Sequence, residues 1–306
     1  MRTAFIQQLI REARQNSKIF LLVGDLGYNV VDSFSSEFPS RYLNVGIAEQ
    51  NMVGVAVGLA MEGFIPFIYS IANFPTMRCM EQIRNDVCYH DFNINIVSIG
   101  GGFSYGSLGA SHQATEDIGM MRIIPNMTVC APGDPTEAKW ITHLAVESAH
   151  PFYIRLDKAG EAIAHSDQDF SKMKTGDILK VKEGTSIAVL STGGMLKYSY
   201  DFISNNNIYC ALYSFPFIKP VNKIQLKQIF EKFKMIITIE EHQSSGGLGS
   251  VVLEYLNDFI ENDEIQNIPK IRRIAIPDKF YSISGSQNFL RENAGLILKK
   301  EFFNNG

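Results

Sequence analysis

The chain has 306 residues, 45% of them apolar and 20% charged, and its 28 Lys and Arg against 32 Asp and Glu give a formal net charge of −4. That balance describes a globular protein long enough for two domains, and nothing in it suggests disorder. Scattered basic residues in a mildly acidic chain leave no electrostatic footprint for nucleic acid or an anionic membrane surface. The first segment, Arg2 to Arg14, alternates apolar and charged positions at helical spacing, so an amphipathic helix is expected there rather than a signal peptide. The longest apolar strings, such as Ile19 to Val23, are too short to span a bilayer. Cys79, Cys88, Cys130 and Cys210 are widely spaced without a CxxC pair. Neither a zinc site nor a redox motif is indicated, and a reducing cytoplasm is the expected compartment.

Strand-type runs alternate with helical stretches. Ile19 to Val23, Tyr42 to Val45, Ile65 to Tyr69, Ile94 to Ile99, Met127 to Ala131 and Pro151 to Leu156 come first. A polar stretch, Asp157 to Gly176, interrupts the pattern, which restarts with Ile187 to Leu190, Ile208 to Tyr213, Ile236 to Ile239 and Ile271 to Ile276. The expected fold class is α/β, with two domains that are each a mostly parallel sheet flanked by helices. Their bounds are placed at 1–160 and 181–306, with 161–180 as a connector. The strands end in glycine-rich or polar turns, among them Gly24 to Gly27, Asn44 to Gly46, Ser70 to Asn73 and Gly100 to Gly109. In open α/β sheets ligands bind beyond the carboxyl ends of the strands, so chemistry is sought in these turns.

Glu49 stands out. It is a lone carboxylate in the run Gly46 to Ala60, and no Lys or Arg lies between Arg41 and Arg78. Ile47, Val53, Ala56, Val57 and Ala60 leave no wholly polar face, so this run reads as a helix buried on most sides. A buried carboxylate needs a hydrogen-bonding partner. Two readings stand: Glu49 caps its helix's first turn, where an anion is favoured, or it awaits a ligand.

The loop Gly100 to Gln113 is rich in glycine and matches neither phosphate fingerprint, because no Lys follows and the spacing misses GxGxxG. It reads as a mobile structural loop or as one that lets a ligand approach the backbone. A helix is expected from about Thr115. His112, near the loop's end, suits polar substrate contact or proton transfer, or is a hydrogen-bonded structural residue. In the second half, Gly246-Gly247-Leu248-Gly249 opens a helix after a strand, a geometry for phosphate or for close packing, and packing is favoured.

Taken together, Gly46 to Gln50, Phe74 to Asp86, Ser111-His112-Gln113, Pro125 to Met127 and Ala131 to Asp134 resemble one family. They resemble the pyrimidine-binding domain of transketolase and 1-deoxyxylulose-5-phosphate synthase. Leu190 to Gly193, Ile218-Lys219-Pro220, Ile239 to His242 and Gly246 to Ser250 resemble that family's C-terminal domain, so the likeness covers nearly the whole chain. The resemblance implies a thiamine diphosphate cofactor. It also implies that Glu49 hydrogen-bonds N1′ of the aminopyrimidine, favouring the tautomer whose 4′-nitrogen removes the thiazolium C2 proton. By the same resemblance Asp25 and Leu26 lie beside the thiazolium, His112 and Gln113 face substrate, with His112 in a catalytic role, and Arg155 holds a sugar phosphate or other anion, an ordinary surface charge being its other reading. Phe74, Met77 and Met80 stand where the family places aromatic residues against the aminopyrimidine, with only Phe74 aromatic here and Met80 also readable as core.

Two further departures shape the expectation. The family's second histidine and aspartate of the glycine loop have no match, which points toward an unusual sugar. No GDG motif with a following Asn is present, so no metal ligand is expected in this chain. The resemblance then implies a partner, an N-terminal transketolase-like subunit carrying the diphosphate-binding domain and the ligands for Mg2+ or Ca2+. Two copies of each chain would form a heterotetramer, with the Glu49 helix and the segment Phe74 to Met80 at interfaces. The expected activity is transfer of a two-carbon ketol unit between sugars. The alternatives are a 1-deoxyxylulose-5-phosphate synthase-like or 2-oxoacid decarboxylase subunit, or a non-catalytic regulatory subunit.

Overall fold

A computed structural model of the chain describes residues 1–157, 164–165 and 173–304. Half of the expected connector, 161–163 and 166–172 of 161–180, therefore lies outside the described residues. The first half runs α1 (Arg2–Gln15), β1 (Ile19–Val23), α2 (Asp32–Glu37), β2 (Tyr42–Asn44), α3 (Glu49–Met61), β3 (Ile65–Ile71), α4 (Phe74–Met77) and α5 (Met80–Gln82). It continues through a π-helical turn (Ile83–Cys88), β4 (Asn95–Ile99), α6 (Asp117–Arg122), β5 (Thr128–Cys130), α7 (Pro135–Glu147) and β6 (Phe152–Leu156). The second half runs β7 (Leu179–Lys182), β8 (Ile187–Ser191), α8 (Met195–Asn205), β9 (Ala211–Ser214), β10 (Phe217–Lys219) and α9 (Lys223–Lys232). It closes with β11 (Met235–Gln243), α10 (Leu248–Glu261), β12 (Lys270–Ile276) and α11 (Gln287–Asn293).

Two mostly parallel sheets form. The first has the order β10-β5-β6-β4-β3-β1-β2 and the second β12-β11-β8-β9-β7. Strands β4, β6 and β8 are buried at every position, because helices cover both faces of a parallel sheet. Helix α1 buries Phe5, Ile6, Leu9 and Ile10 along one stripe and packs on α7. The two halves are not separate bodies: β10 crosses over to pair antiparallel with β5 of the first sheet. One buried cluster joins Ile68 and Val129 of the first half to Phe215, Phe230 and Val251 of the second. No helix among the described residues is long and apolar enough to cross a membrane.

Helix α3 departs from expectation. It buries Glu49, Met52, Val53 and Ala56 toward β3, whereas its other side is open, with nothing near a Cβ built at Gly54 or Gly58. The small residues that make the run look uniformly apolar lie partly on an uncovered face. Ile47 and Met61, at its two ends, are exposed as well.

Candidate active site

Register places the site. Val23 at the end of β1 pairs with Asn44 of β2 and Tyr69 of β3, and Ile71 of β3 pairs with Ile99 of β4. The turns after these four strands therefore open along one edge of the sheet, where parallel strands leave their loops. Glu49, Phe74, His112 and Asp25 all come from those turns.

Glu49 begins α3 and is 4% exposed. It forms no side-chain cap on its own helix. Instead its Oε2 accepts a hydrogen bond from Arg78 Nη1 at 3.1 Å. The expectation of an unpaired carboxylate is thus corrected: the cation comes from 29 positions further along the chain, carried over α3 by the segment that follows β3. Arg78 also lies over the Phe74 ring, its Cζ 4.3 Å from the centroid, and its carbonyl accepts from Gln50 Nε2 at 2.9 Å. The Phe74 ring meets the His112 ring at 5.3 Å and 68°, an edge contact. His112 Nδ1 is 3.0 Å from Ser111 Oγ, and Asn73 Nδ2 donates to the Ser111 carbonyl. Glu49, Phe74 and His112 are thus linked, with Arg78 between the first two.

The Asp25 turn borders this group. Asp25 has φ +55°, donates its N–H to Asn44 Oδ1 at 3.0 Å, and accepts from Asn44 Nδ2 at 3.1 Å and Tyr28 Oη at 3.2 Å. A Cβ built on Gly24 would stand 3.8 Å from Glu49 Cγ, which fixes how close the turn runs to the carboxylate. Leu26 is half-buried beside it. Met77 is exposed at the margin, whereas Met80 packs half-buried against the core. Gln113 is buried, with no hydrogen-bond partner on its Nε2.

Arg155 does not reach the site as expected. Its side chain is buried, its Nε lies 2.9 Å from Asp117 Oδ2, and its Nη2 donates to the carbonyls of Ala114 and Glu241 at 2.8 and 2.9 Å. A guanidinium spent on one buried carboxylate and two carbonyls is a tie between the halves of the chain rather than a phosphate contact. Periodicity could not reveal this, because a strand-end arginine looks the same whichever way it points.

The glycine loop is anchored. Gly102 and Ala114 exchange backbone hydrogen bonds at 2.7 and 3.0 Å. The Phe103 N–H donates to Glu241 Oε1 at 2.7 Å, and the same carboxylate accepts from Gln287 and Arg291. Gly101 and Gly102 are required by crowding: a Cβ would fall 2.1 Å from Arg155 Nε at the first and 2.5 Å from Glu241 Cγ at the second. Close packing against the second half, rather than mobility, explains these glycines. In the second half, Leu248 and Gly249 at the start of α10 donate to Glu240 at 2.5 and 2.7 Å. The chain's own carboxylate takes the place an anion would take, and burial raises that carboxyl to about 7. Sequence reasoning missed Arg78, Glu241 and Arg291, whose roles depend on contacts between segments far apart in sequence.

Among the described residues no group of three or more His, Cys, Asp or Glu could hold a metal ion. Residues 1–160 match the family model described as transketolase, pyrimidine binding domain, and residues 176–296 match transketolase, C-terminal domain. The chain is 30% identical over 282 residues to one of the subunits of the apulose-4-phosphate transketolase of Phocaeicola vulgatus, covering 91% of this chain and 88% of that protein. It is 33% identical to a putative transketolase C-terminal section of Methanocaldococcus jannaschii, covering 97% and 92%. Among solved structures, one described as a split gene transketolase, inactive beta4 tetramer, superposes with a TM-score of 0.84 at 32% identity, covering 96% of this chain and 93% of that one.

Proposed function

This chain belongs to the transketolase family, and from that premise we propose that it is the smaller subunit of a split, thiamine diphosphate-dependent transketolase. The carrying observation is the convergence of a shielded carboxylate, an aromatic face and an imidazole where the turns of β1 to β4 meet. These residues fit the aminopyrimidine end of the cofactor: Glu49 supplies an acceptor shielded from water, and Phe74 a flat apolar surface. When bound, the cofactor supplies a nucleophilic thiazolium carbon able to attack a sugar carbonyl and carry a two-carbon unit.

In this reading Glu49 holds or shares the proton at the pyrimidine N1′. Asp25 and Leu26 line the side toward the thiazolium. His112, fixed by Ser111 and Phe74, faces the substrate hydroxyls together with Gln113. The diphosphate and its Mg2+ or Ca2+ fall to a partner chain with the missing domain, in a heterotetramer of two small and two large subunits. The uncovered face of α3 and the exposed Met77 are apolar surface suited to such an interface. The description of the 32% identical tetramer of beta chains as inactive supports the need for a partner. The apulose-4-phosphate in the name of the Phocaeicola relative supports a sugar phosphate as substrate.

The test is to co-purify this chain with a diphosphate-domain chain and measure thiamine diphosphate binding with magnesium to each chain and to the complex, then turnover with ketose donors against pyruvate. Binding by the complex alone and activity with a ketose are expected. Turnover with pyruvate would give the synthase or decarboxylase alternative. Glu49→Gln abolishes turnover if Glu49 activates the cofactor, and unchanged turnover would point to the regulatory alternative.

A further inference from the structure

Among the described residues around Glu49, Arg78 is a charged group that the proposed chemistry leaves unused. Its guanidinium makes two contacts, the hydrogen bond to Glu49 Oε2 at 3.1 Å and the stack over Phe74 at 4.3 Å. Those are the two groups that the proposed function assigns to an aminopyrimidine. The likeness is chemical: a guanidinium, like a protonated or amino-bearing pyrimidine, is a flat nitrogen array that donates to carboxylates and lies against aromatic faces. The two cannot share the same face of the ring and the same carboxylate oxygen.

Exposure shows which of them gives way. The Arg78 side chain is 51% exposed while that of Glu49 is 4% exposed, so the arginine reaches in from the solvent side over a carboxylate that cannot leave. Its backbone is tied separately, through its carbonyl to Gln50, so the side chain can swing without disturbing the start of α3. Pairing also serves the protein, since a buried carboxylate without a partner is costly. We propose that Arg78 is a built-in competitor for the pyrimidine subsite, holding Glu49 and the Phe74 face until an aminopyrimidine displaces it. This inference rests on the proposed function.

A competing contact lowers apparent affinity by the fraction of molecules in which it is made. An ion pair whose cation is half exposed and an exposed cation–π contact together correspond to roughly a 3- to 30-fold effect. Calorimetric titration of thiamine diphosphate with magnesium chloride into the co-purified complex reads this directly. Arg78→Met, with Arg78→Gln as an independent check, is expected to bind the cofactor tighter by that factor. Phe74→Leu in the Arg78→Met background measures the ring contact with the competitor gone. A second readout needs no cofactor: in the chain alone, the effects of Glu49→Gln and Arg78→Met on the unfolding midpoint are expected to be non-additive, because the residues are paired. Equal or weaker cofactor binding by both Arg78 variants, with a wild-type complex that binds well, overturns the competitor role while leaving the proposed function standing. No binding by wild type or either variant overturns both. Binding by the variants alone is the strongest form of the expected result.

Discussion

Replacing Glu241 by alanine tests whether the second half of the chain holds the loop that carries His112. The carboxylate is 4% exposed and accepts from the Phe103 N–H at 2.7 Å, Gln287 Nε2 at 3.1 Å and Arg291 Nε at 2.8 Å. Burial alone would disfavour the charge on Arg291, and it is Glu241 that outweighs this. Glu241→Ala therefore removes the main carboxylate partner of a largely buried guanidinium and leaves Asp157 as its remaining favourable charge, a cost toward the lower end of about 3–5 kcal/mol. It also strips the acceptor from the N–H of fully buried Phe103, about 1–3 kcal/mol. The two losses share one network and do not add in full, so a net loss of about 4 kcal/mol is expected. Glu241→Gln keeps an acceptor for Phe103 while losing the charge, and falls between. Urea unfolding gives the loss in stability, and hydrogen exchange across 100–112 reports the loop. An alanine variant within about 1 kcal/mol of wild type, with unchanged exchange at Phe103, would refute the reasoning.

Two other predictions follow from the same seam. Gly102 has φ +61° and stands where a Cβ would lie 2.5 Å from Glu241 Cγ, so Gly102→Ala is expected to destabilise by roughly 2–4 kcal/mol; an unfolding midpoint equal to wild type would show that the loop yields freely. At Glu240, burial raises the carboxyl from 4.5 to about 7. The folded chain favours the proton there, so this group's contribution is fully present below about pH 4.5 and is lost as pH rises through 7, a change on the order of 3 kcal/mol. The stability gap between wild type and Glu240→Gln is therefore expected to shrink from pH 5 to pH 8, and a gap constant with pH would contradict the assignment.

The strands were legible where physical chemistry is local. Runs such as Ile19–Val23, Phe152–Leu156 and Ile187–Ser191 are apolar and bounded by turn residues, the pattern of strands covered on both faces. Strands β7 and β10 were not legible, because each is short and is held as an antiparallel edge by a strand from elsewhere. Within the site, Glu49, Phe74 and His112 could be picked out as unusual residues in turns, and they lie in one linked group, with Arg78 between Glu49 and Phe74. Arg78 could not be paired with Glu49 from the sequence, since a gap without cations between Arg41 and Arg78 says nothing about the fold bringing the far end of that gap back. Arg155 failed for the opposite reason. Its side chain points into the seam, where it pairs with Asp117 and its Nη2 donates to two carbonyls.

That seam changes what the second half of the chain does for the site. A domain resembling one far from the cofactor could be a passive appendage, yet here it grips the first domain at three points around the glycine loop. Glu241 takes the Phe103 N–H at the loop's start. Arg155 ties Ala114, just past the loop's end, to the Glu241 carbonyl. His242 Nε2 accepts from the Gly119 N–H at 3.1 Å, and its Nδ1 donates to the Gln243 carbonyl at 2.9 Å, so the ring is held neutral, in keeping with burial lowering its pKa. Between these anchors the loop also reaches Asn73, through the Ser111 carbonyl, one residue before His112 and next to Phe74. A shift between the halves would pull on both ends of the loop that carries His112, whereas Phe74 and Glu49 are fixed to the first sheet. The placement of His112 therefore depends on both domains together, and under the proposed function substitutions at Glu241 or Arg291 are expected to act on turnover through it although neither residue belongs to the group around Glu49.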